Sequence, residues 1–315
     1  MASGILIYPL FFPQAACPGT CIYCDQAAIS GVSDTTDPAQ MAIDVRDFVQ
    51  RNPGREKQIA FYGGSFTGLP LIYRKQLMEY ILPCLDKDSS IRISTHPLMI
   101  DEDILAWAKD NKIRTIELGV QDFADDVLAK SGRGYSGALA IEACELIKAK
   151  GLELGVQLMP GLPGSSNQSI GLNMQRLREI RPKYLRIYPL IVIAGTPLEE
   201  LYRTGEYKAL SLDQAIGICV DYLDLAEQLG ITVIKIGLPS NLAVDKVISG
   251  PYHPAFGEFV MAERLIRRIV LDYVPDSAII LNERQRSLLC GHQCRFLRIL
   301  EDRLNSCTLD IRYVK

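Results

Sequence analysis

Short apolar runs alternate along this chain with stretches whose apolar residues return every three or four positions, and the two patterns trade places for most of its length. The runs predict strands at Ile5–Phe11, Gln58–Tyr62, Ile91–Thr95, Thr115–Val120, Glu153–Leu158, Tyr184–Pro189 and Thr232–Ile236, with helix-period sequence between them. Apolar strands without strict alternation are buried on both faces, which makes the sheet parallel and helix-covered. Spacing alone lets such a repeat close into a barrel or stay doubly wound.

Polar residues at strand ends favour the barrel. A cysteine loop follows the first strand and Gly63, Gly64 and Ser65 follow the second; Ser94 and His96 stand at the third, Gln121 after the fourth and Gln157 at the end of the fifth. In a parallel barrel these loops open onto one mouth, where barrel active sites lie. Turn-forming residues at Leu238–Asn241 and Ser249–Pro254 mark a boundary. The expected division is a barrel over 1–240 and a C-terminal extension over 241–315 that covers or flanks it. In the extension we expect a helix around Gly257–Asp272, a strand at Ala278–Leu281, a helix near Glu283–Leu304 broken at Gly291, and a strand at Thr308–Val314.

The chain has 315 residues, 48 % hydrophobic and 23 % charged, as a folded globular protein has. No apolar run reaches the roughly 18 residues of a membrane helix, and Met1–Gly4 lacks the basic region of a signal peptide, so a cytoplasmic location is expected. Reducing conditions there keep thiols free. A net charge of -3 gives no overall attraction for nucleic acid, and the segment from His253 to Lys315 holds ten Lys or Arg against eight Asp or Glu.

The sharpest chemical signal is Ala16–Asp25, where Cys17, Cys21 and Cys24 are spaced C-x3-C-x2-C. Three thiolates on one loop can ligate three irons of a [4Fe-4S] cluster and leave the fourth iron open to a small molecule. A structural zinc site needs a fourth ligand, yet the next cysteine is Cys84 and the first histidine His96. Nine cysteines, an odd number, argue against a disulfide framework. Cys290, Cys294 and Cys307 lie in the tail with His292, and helix spacing accounts for the first two without a metal. The paired glycines of Phe61–Gly68 follow a strand directly, and glycine lets backbone approach a ligand closely.

Together these motifs resemble the radical S-adenosylmethionine (SAM) superfamily, and within it the branch of the Elongator catalytic subunit and the oxygen-independent coproporphyrinogen oxidase-like proteins. The resemblance runs through Pro13–Cys17, Phe61–Gly68, Glu117–Phe123, Gln157–Gly164 and Gly250–Gly257. It implies an α/β fold, a partial parallel β/α barrel of TIM-barrel type. It also implies a [4Fe-4S] cluster on Cys17, Cys21 and Cys24, with SAM chelating the remaining iron. An electron from a flavodoxin or ferredoxin then cleaves SAM to methionine and a 5'-deoxyadenosyl radical that takes hydrogen from a substrate. On the same resemblance Gly63, Gly64 and Ser65 meet the SAM amino group, Ser94 stands at a ribose-contact position, and Gln121, Arg133 and Gln157 surround SAM, Arg133 pairing with its carboxylate. Tyr23 lies against the adenine or shields the cluster. His96 and His253 are candidates for contact with substrate.

The resemblance leaves the substrate open among a small molecule, a peptide and tRNA. With Lys315 as the last residue, the acetyltransferase domain of the Elongator subunit is not expected here. A third reading is a non-catalytic cluster or haem carrier. Glu117 is expected to point outward among the helices, away from the site.

Overall fold

The computed structural model describes residues 4–12, 16–19, 21–25, 37–238, 242, 244–275, 277–305 and 309–314. The expected 240/241 boundary, Pro13–Ala15 and Cys307 lie outside these.

The strands are β1 (Leu6–Phe11), β2 (Lys57–Tyr62), β3 (Ser89–Thr95), β4 (Ile113–Gln121), β5 (Glu153–Leu158), β6 (Tyr184–Ile187), the short β7 (Val192–Ile193) and β8 (Thr232–Ile236). Seven of them form one parallel sheet in the order β1-β2-β3-β4-β5-β6-β8. The order is sequential and β1 does not pair with β8, so the barrel is partial, as expected. β7 leaves the sheet to pair antiparallel with β9 (Val247–Ser249), a pair the apolar pattern does not announce because each strand is two or three residues long.

Helices α1 (Pro38–Arg51), α2 (Leu71–Ile81), α3 (Glu102–Asp110), α4 (Asp125–Lys130), α5 (Gly137–Ala149), α6 (Asn167–Ile180), α7 (Pro197–Arg203) and α8 (Leu212–Leu229) fill the crossovers. α8 shows why they form. Ser211 and Gln214 cap its first turn reciprocally, Gly230 takes the left-handed conformation at its end, and Ala215, Ile216, Cys219, Val220, Leu223 and Ala226 bury one stripe.

Both faces of the sheet are buried, but they differ. Ile59, Phe61, Ile91, Ile93, Ile116, Leu118, Leu154, Val156, Leu185 and Ile187 join the hydrophobic core with the helices. The alternate positions Gln58, Arg92, Thr115, Glu117 and Arg186 bond to one another on the other face, inside the curl. The interior of this partial barrel is therefore polar, and the strands alternate after all; full burial hid the alternation from a reading based on hydrophobicity.

The tail begins with α9 (Phe256–Asp272), followed by β10 (Ile279–Asn282), α10 (Glu283–Arg303) and β11 (Ile311–Val314), with β10 and β11 parallel. α10 breaks at Gly291, as expected, but the break runs on through His292, Gln293 and Cys294, all at positive φ. Helix spacing therefore does not relate Cys290 to Cys294: Cys294 sits in the turn, its Sγ 3.5 Å from the Cys290 carbonyl. Among the described residues no helix is long and apolar enough to cross a membrane.

Candidate functional site at the mouth of the barrel

Two backbone hydrogen bonds tie down the cysteine loop: Ile22 donates to the Ser131 carbonyl at 3.4 Å and accepts from Leu198 at 2.9 Å. Tyr23 packs into an apolar cluster with Val127, Leu162, Leu190 and Leu198, which fixes the loop over the ends of β4 to β6. The loop also rests on the glycine turn. A Cβ on Gly68 would stand 2.5 Å from the Ala16 carbonyl oxygen, and one on Gly63, at φ +96°, 3.1 Å from the Phe12 carbonyl carbon. Only glycine permits both contacts.

These constraints gather most of the expected residues. The Ser65 hydroxyl is 3.5 Å from Cys17 Sγ. Arg133, buried, donates from Nη1 to Cys21 Sγ at 3.1 Å, from Nε to the Tyr135 hydroxyl at 3.1 Å, and from Nη2 to the Gly119 carbonyl. Burial opposes its charge, but Tyr23, Tyr135 and Cys21 outweigh burial and hold it protonated. Gln121 is at φ +69°, a strained conformation that costs about 1 kcal/mol for a side chain of this kind. It turns the amide to accept from Gln157 Nε2 at 3.0 Å. The strain is held by a clasp behind it, where Asn173 accepts from the Phe123 amide at 2.8 Å and donates to the Asp122 carboxylate at 2.9 Å. Ser94 donates to the Phe61 carbonyl at 3.2 Å or the Gly64 carbonyl at 3.4 Å, so its hydroxyl braces the glycine turn.

The two histidines part company. His96 is buried beside Arg133 and edge-on to Tyr135; burial first, then Arg133, pulls its pKa down to about 3. Its Nδ1 accepts from the Leu98 amide at 3.3 Å, so the neutral ring carries its proton on Nε2. His253 accepts from the Ala255 amide at 3.0 Å and stacks on Phe259 at 4.2 Å, packed with the tail helices instead of the mouth.

Sequence reasoning missed a group beneath the mouth. Glu117 does not point outward. It accepts from Arg92 Nη1 at 2.6 Å, from the Tyr62 hydroxyl at 3.0 Å, and from Arg186 through both Nε and Nη2. Burial alone would raise its pKa, but Arg186 and Arg92 hold it below the usual carboxylate range. The available signal was a charged residue set between apolar neighbours in each of three strands, Arg92 in β3, Glu117 in β4 and Arg186 in β6, which a helix-facing position would not tolerate.

Among the described residues no three His, Cys, Asp or Glu side chains gather closely enough to hold a single metal ion. A cubane cluster takes each thiolate on a different iron, so its sulfurs stand apart. The donor set fits such a group: Cys17, Cys21 and Cys24 are reduced cysteines outside any disulfide, and the buried Tyr23 hydroxyl has no partner among the described residues.

The chain matches the radical SAM superfamily over residues 11–177 and the Radical_SAM C-terminal domain over 182–268. It is 25 % identical to a tRNA uridine(34) acetyltransferase of Methanocaldococcus infernus across 78 % of this chain and 54 % of that protein. It is 26 % identical to Elongator complex protein 3 of Saccharomyces cerevisiae across 71 % and 49 %. The chain thus spans about half the length of these curated relatives. Among solved structures, the archaeal Methanocaldococcus infernus Elp3 superposes with a TM-score of 0.65 at 20 % identity, covering 84 % of this chain and 63 % of that one. Coproporphyrinogen III oxidase (HemN) from Escherichia coli follows at 0.52 and 21 %, covering 72 % and 53 %. With more than half of its length matched, including the cysteine loop and the glycine turn beneath it, the chain belongs to the radical SAM superfamily.

Proposed function

We propose that this chain is a radical SAM enzyme whose Cys17, Cys21 and Cys24 hold a [4Fe-4S] cluster. The observation that carries the reading is the convergence of two of the cysteines on two other elements: Ser65 of the glycine turn at Cys17, and Arg133 at Cys21. When bound, the cluster and SAM together supply reductive cleavage of the sulfonium, with an electron from a flavodoxin- or ferredoxin-type donor. The chain's own residues bind and orient. Gly63 and Gly64 bring backbone polar groups to the SAM amino group, Arg133 offers a guanidinium to its carboxylate, and Gln121 and Gln157 present amides to its polar edges. Tyr23 closes the apolar side and excludes water. Ser94 acts by fixing the turn. His96 and His253 have no assigned step.

Reconstituted with iron and sulfide under anaerobic conditions and reduced with dithionite, the protein is expected to convert SAM to 5'-deoxyadenosine. Replacing Cys17, Cys21 or Cys24 with Ala abolishes both this product and the visible absorption of the cluster, whereas Cys84→Ala, Cys144→Ala and Cys219→Ala retain the absorption. The reverse pattern would reassign the ligands.

A second reading, that the substrate is tRNA, rests on the relatives named for tRNA uridine(34). Retention of tRNA that falls steeply with added salt supports it, and no retention at low salt removes it.

A further inference from the structure

The polar interior of the barrel is not neutral. Arg92 and Arg186 face one carboxylate, Glu117, with side-chain exposures of 1 %, 16 % and 5 %, so one positive charge stays uncompensated within the cluster. The nearby Glu153 does not balance it, because Arg114 and Lys183 already pair with that carboxylate at the opposite rim. An unbalanced buried charge is costly unless something pairs with it.

The unspent donors point the same way. Arg186 gives Nε and Nη2 to Glu117 and to the Tyr62 hydroxyl (2.5 Å from Nη2), and Nη1 to the Tyr188 hydroxyl at 2.9 Å. One Nη1 hydrogen and the proton of Tyr188 itself then have no acceptor among the described residues. The donors sit side by side, and Arg186 lies in register with Gln157, next to the proposed SAM contacts. Glu117 and Tyr62 spend the rest of the guanidinium and so fix its plane.

We infer that Arg186 and Tyr188 form a subsite for an anionic oxygen, carboxylate or phosphate, on the substrate of the reaction proposed above. The subsite sets which molecules enter the barrel: a substrate with such a group balances the charge and satisfies both donors, and an apolar one leaves both unmet. Glu117 is a positioning residue that keeps Arg186 aimed.

The inference rests on the radical SAM reading, and two readouts on one preparation keep them apart. Protein loaded with cluster and SAM, so that Arg133 is occupied, is titrated with acetate followed by proton saturation transfer and with inorganic phosphate followed by phosphorus line width. We expect one or both anions to bind, about tenfold more weakly in Arg186→Met and about three- to tenfold more weakly in Tyr188→Phe, the loss of one hydrogen bond of ordinary strength. Binding of acetate alone assigns a carboxylate, of phosphate alone a phosphate, and of both an anionic oxygen in general. If Arg186→Met does not fold, Tyr188→Phe, which removes one hydroxyl, decides. Binding of neither anion, or equal binding in wild type and Tyr188→Phe, overturns the subsite. Protein that binds the anion yet forms no 5'-deoxyadenosine overturns the enzyme reading and leaves the subsite standing. Protein that forms 5'-deoxyadenosine and binds neither anion overturns the subsite alone.

Discussion

Asp122 is 1 % exposed and is held by the Ala124 amide at 2.8 Å and by Asn173. Burial wins over those hydrogen bonds, with Asp126 adding to it, and the pKa rises to about 6. The folded state therefore binds this proton more tightly than the unfolded chain does, so the contribution of Asp122 to stability is largest below pH 4 and is lost as pH rises through 6. Relative to Asp122→Asn, wild-type stability should fall by up to about 3 kcal/mol between pH 4 and pH 7, measured as the difference between the two urea-unfolding profiles. Parallel profiles would mean that the carboxylate is solvated. His96 should contribute nothing to any activity profile between pH 5 and 9, being already neutral. Neither property is visible in the sequence, since Asp122 follows a strand end as any turn aspartate does, and its burial is decided by Asn173 on a helix some fifty residues away.

At the scale of the element, the cysteine loop and the turn after β2 depend on each other. Gly68→Ala should push the loop up through the Ala16 carbonyl and lower bound iron per chain severalfold, while circular dichroism stays that of wild type, because the clash is local. Unchanged iron content would show that the loop yields without cost. The strands that carry these loops were legible: each expected one in the main sheet is present with its ends within two residues, because the core-facing positions of each strand are apolar and set off from helix-period sequence on either side. What lines the inside was not legible by that route. Arg92, Glu117 and Arg186 register as interruptions of hydrophobicity until the sheet's curl brings them together. Cys290 and Cys294 misled for a related reason, since spacing of four suggests one helix face and Gly291 begins a turn that removes it.

For the molecule as a whole, the tail docks on the outer helical layer. Arg264 reaches Asp224 and Glu227, both at 2.6 Å, Arg267 reaches Asp221 at 2.6 Å, and Arg295 reaches Asp213 at 2.9 Å, so the acidic face of α8 meets a basic face built from α9 and α10. Exposed pairs of this kind contribute little each. Within the tail, a bidentate pair joins Arg303 of α10 to both oxygens of the buried Glu263 of α9 at 3.0 Å. Arg303→Ala should cost about 1–2 kcal/mol and speed proteolysis within α10 while leaving the barrel core protected, as hydrogen exchange would report. Equal loss of protection in both regions would make tail and barrel one cooperative unit. The alternation of strand and helix announced the architecture, and the cysteine and glycine motifs announced the family; the face on which the tail lies depends on charges that only the folded chain matches.

Among the described residues the first and last strands of the main sheet do not pair. A closed ring has a girth fixed by its hydrogen bonds, whereas this arc keeps its curvature only through the helices wrapped outside and the ionic scaffold within. Letting the two outer staves splay breaks no ladder among the described residues, so the width of the arc is set by packing and charge and not by a closed ring of hydrogen bonds.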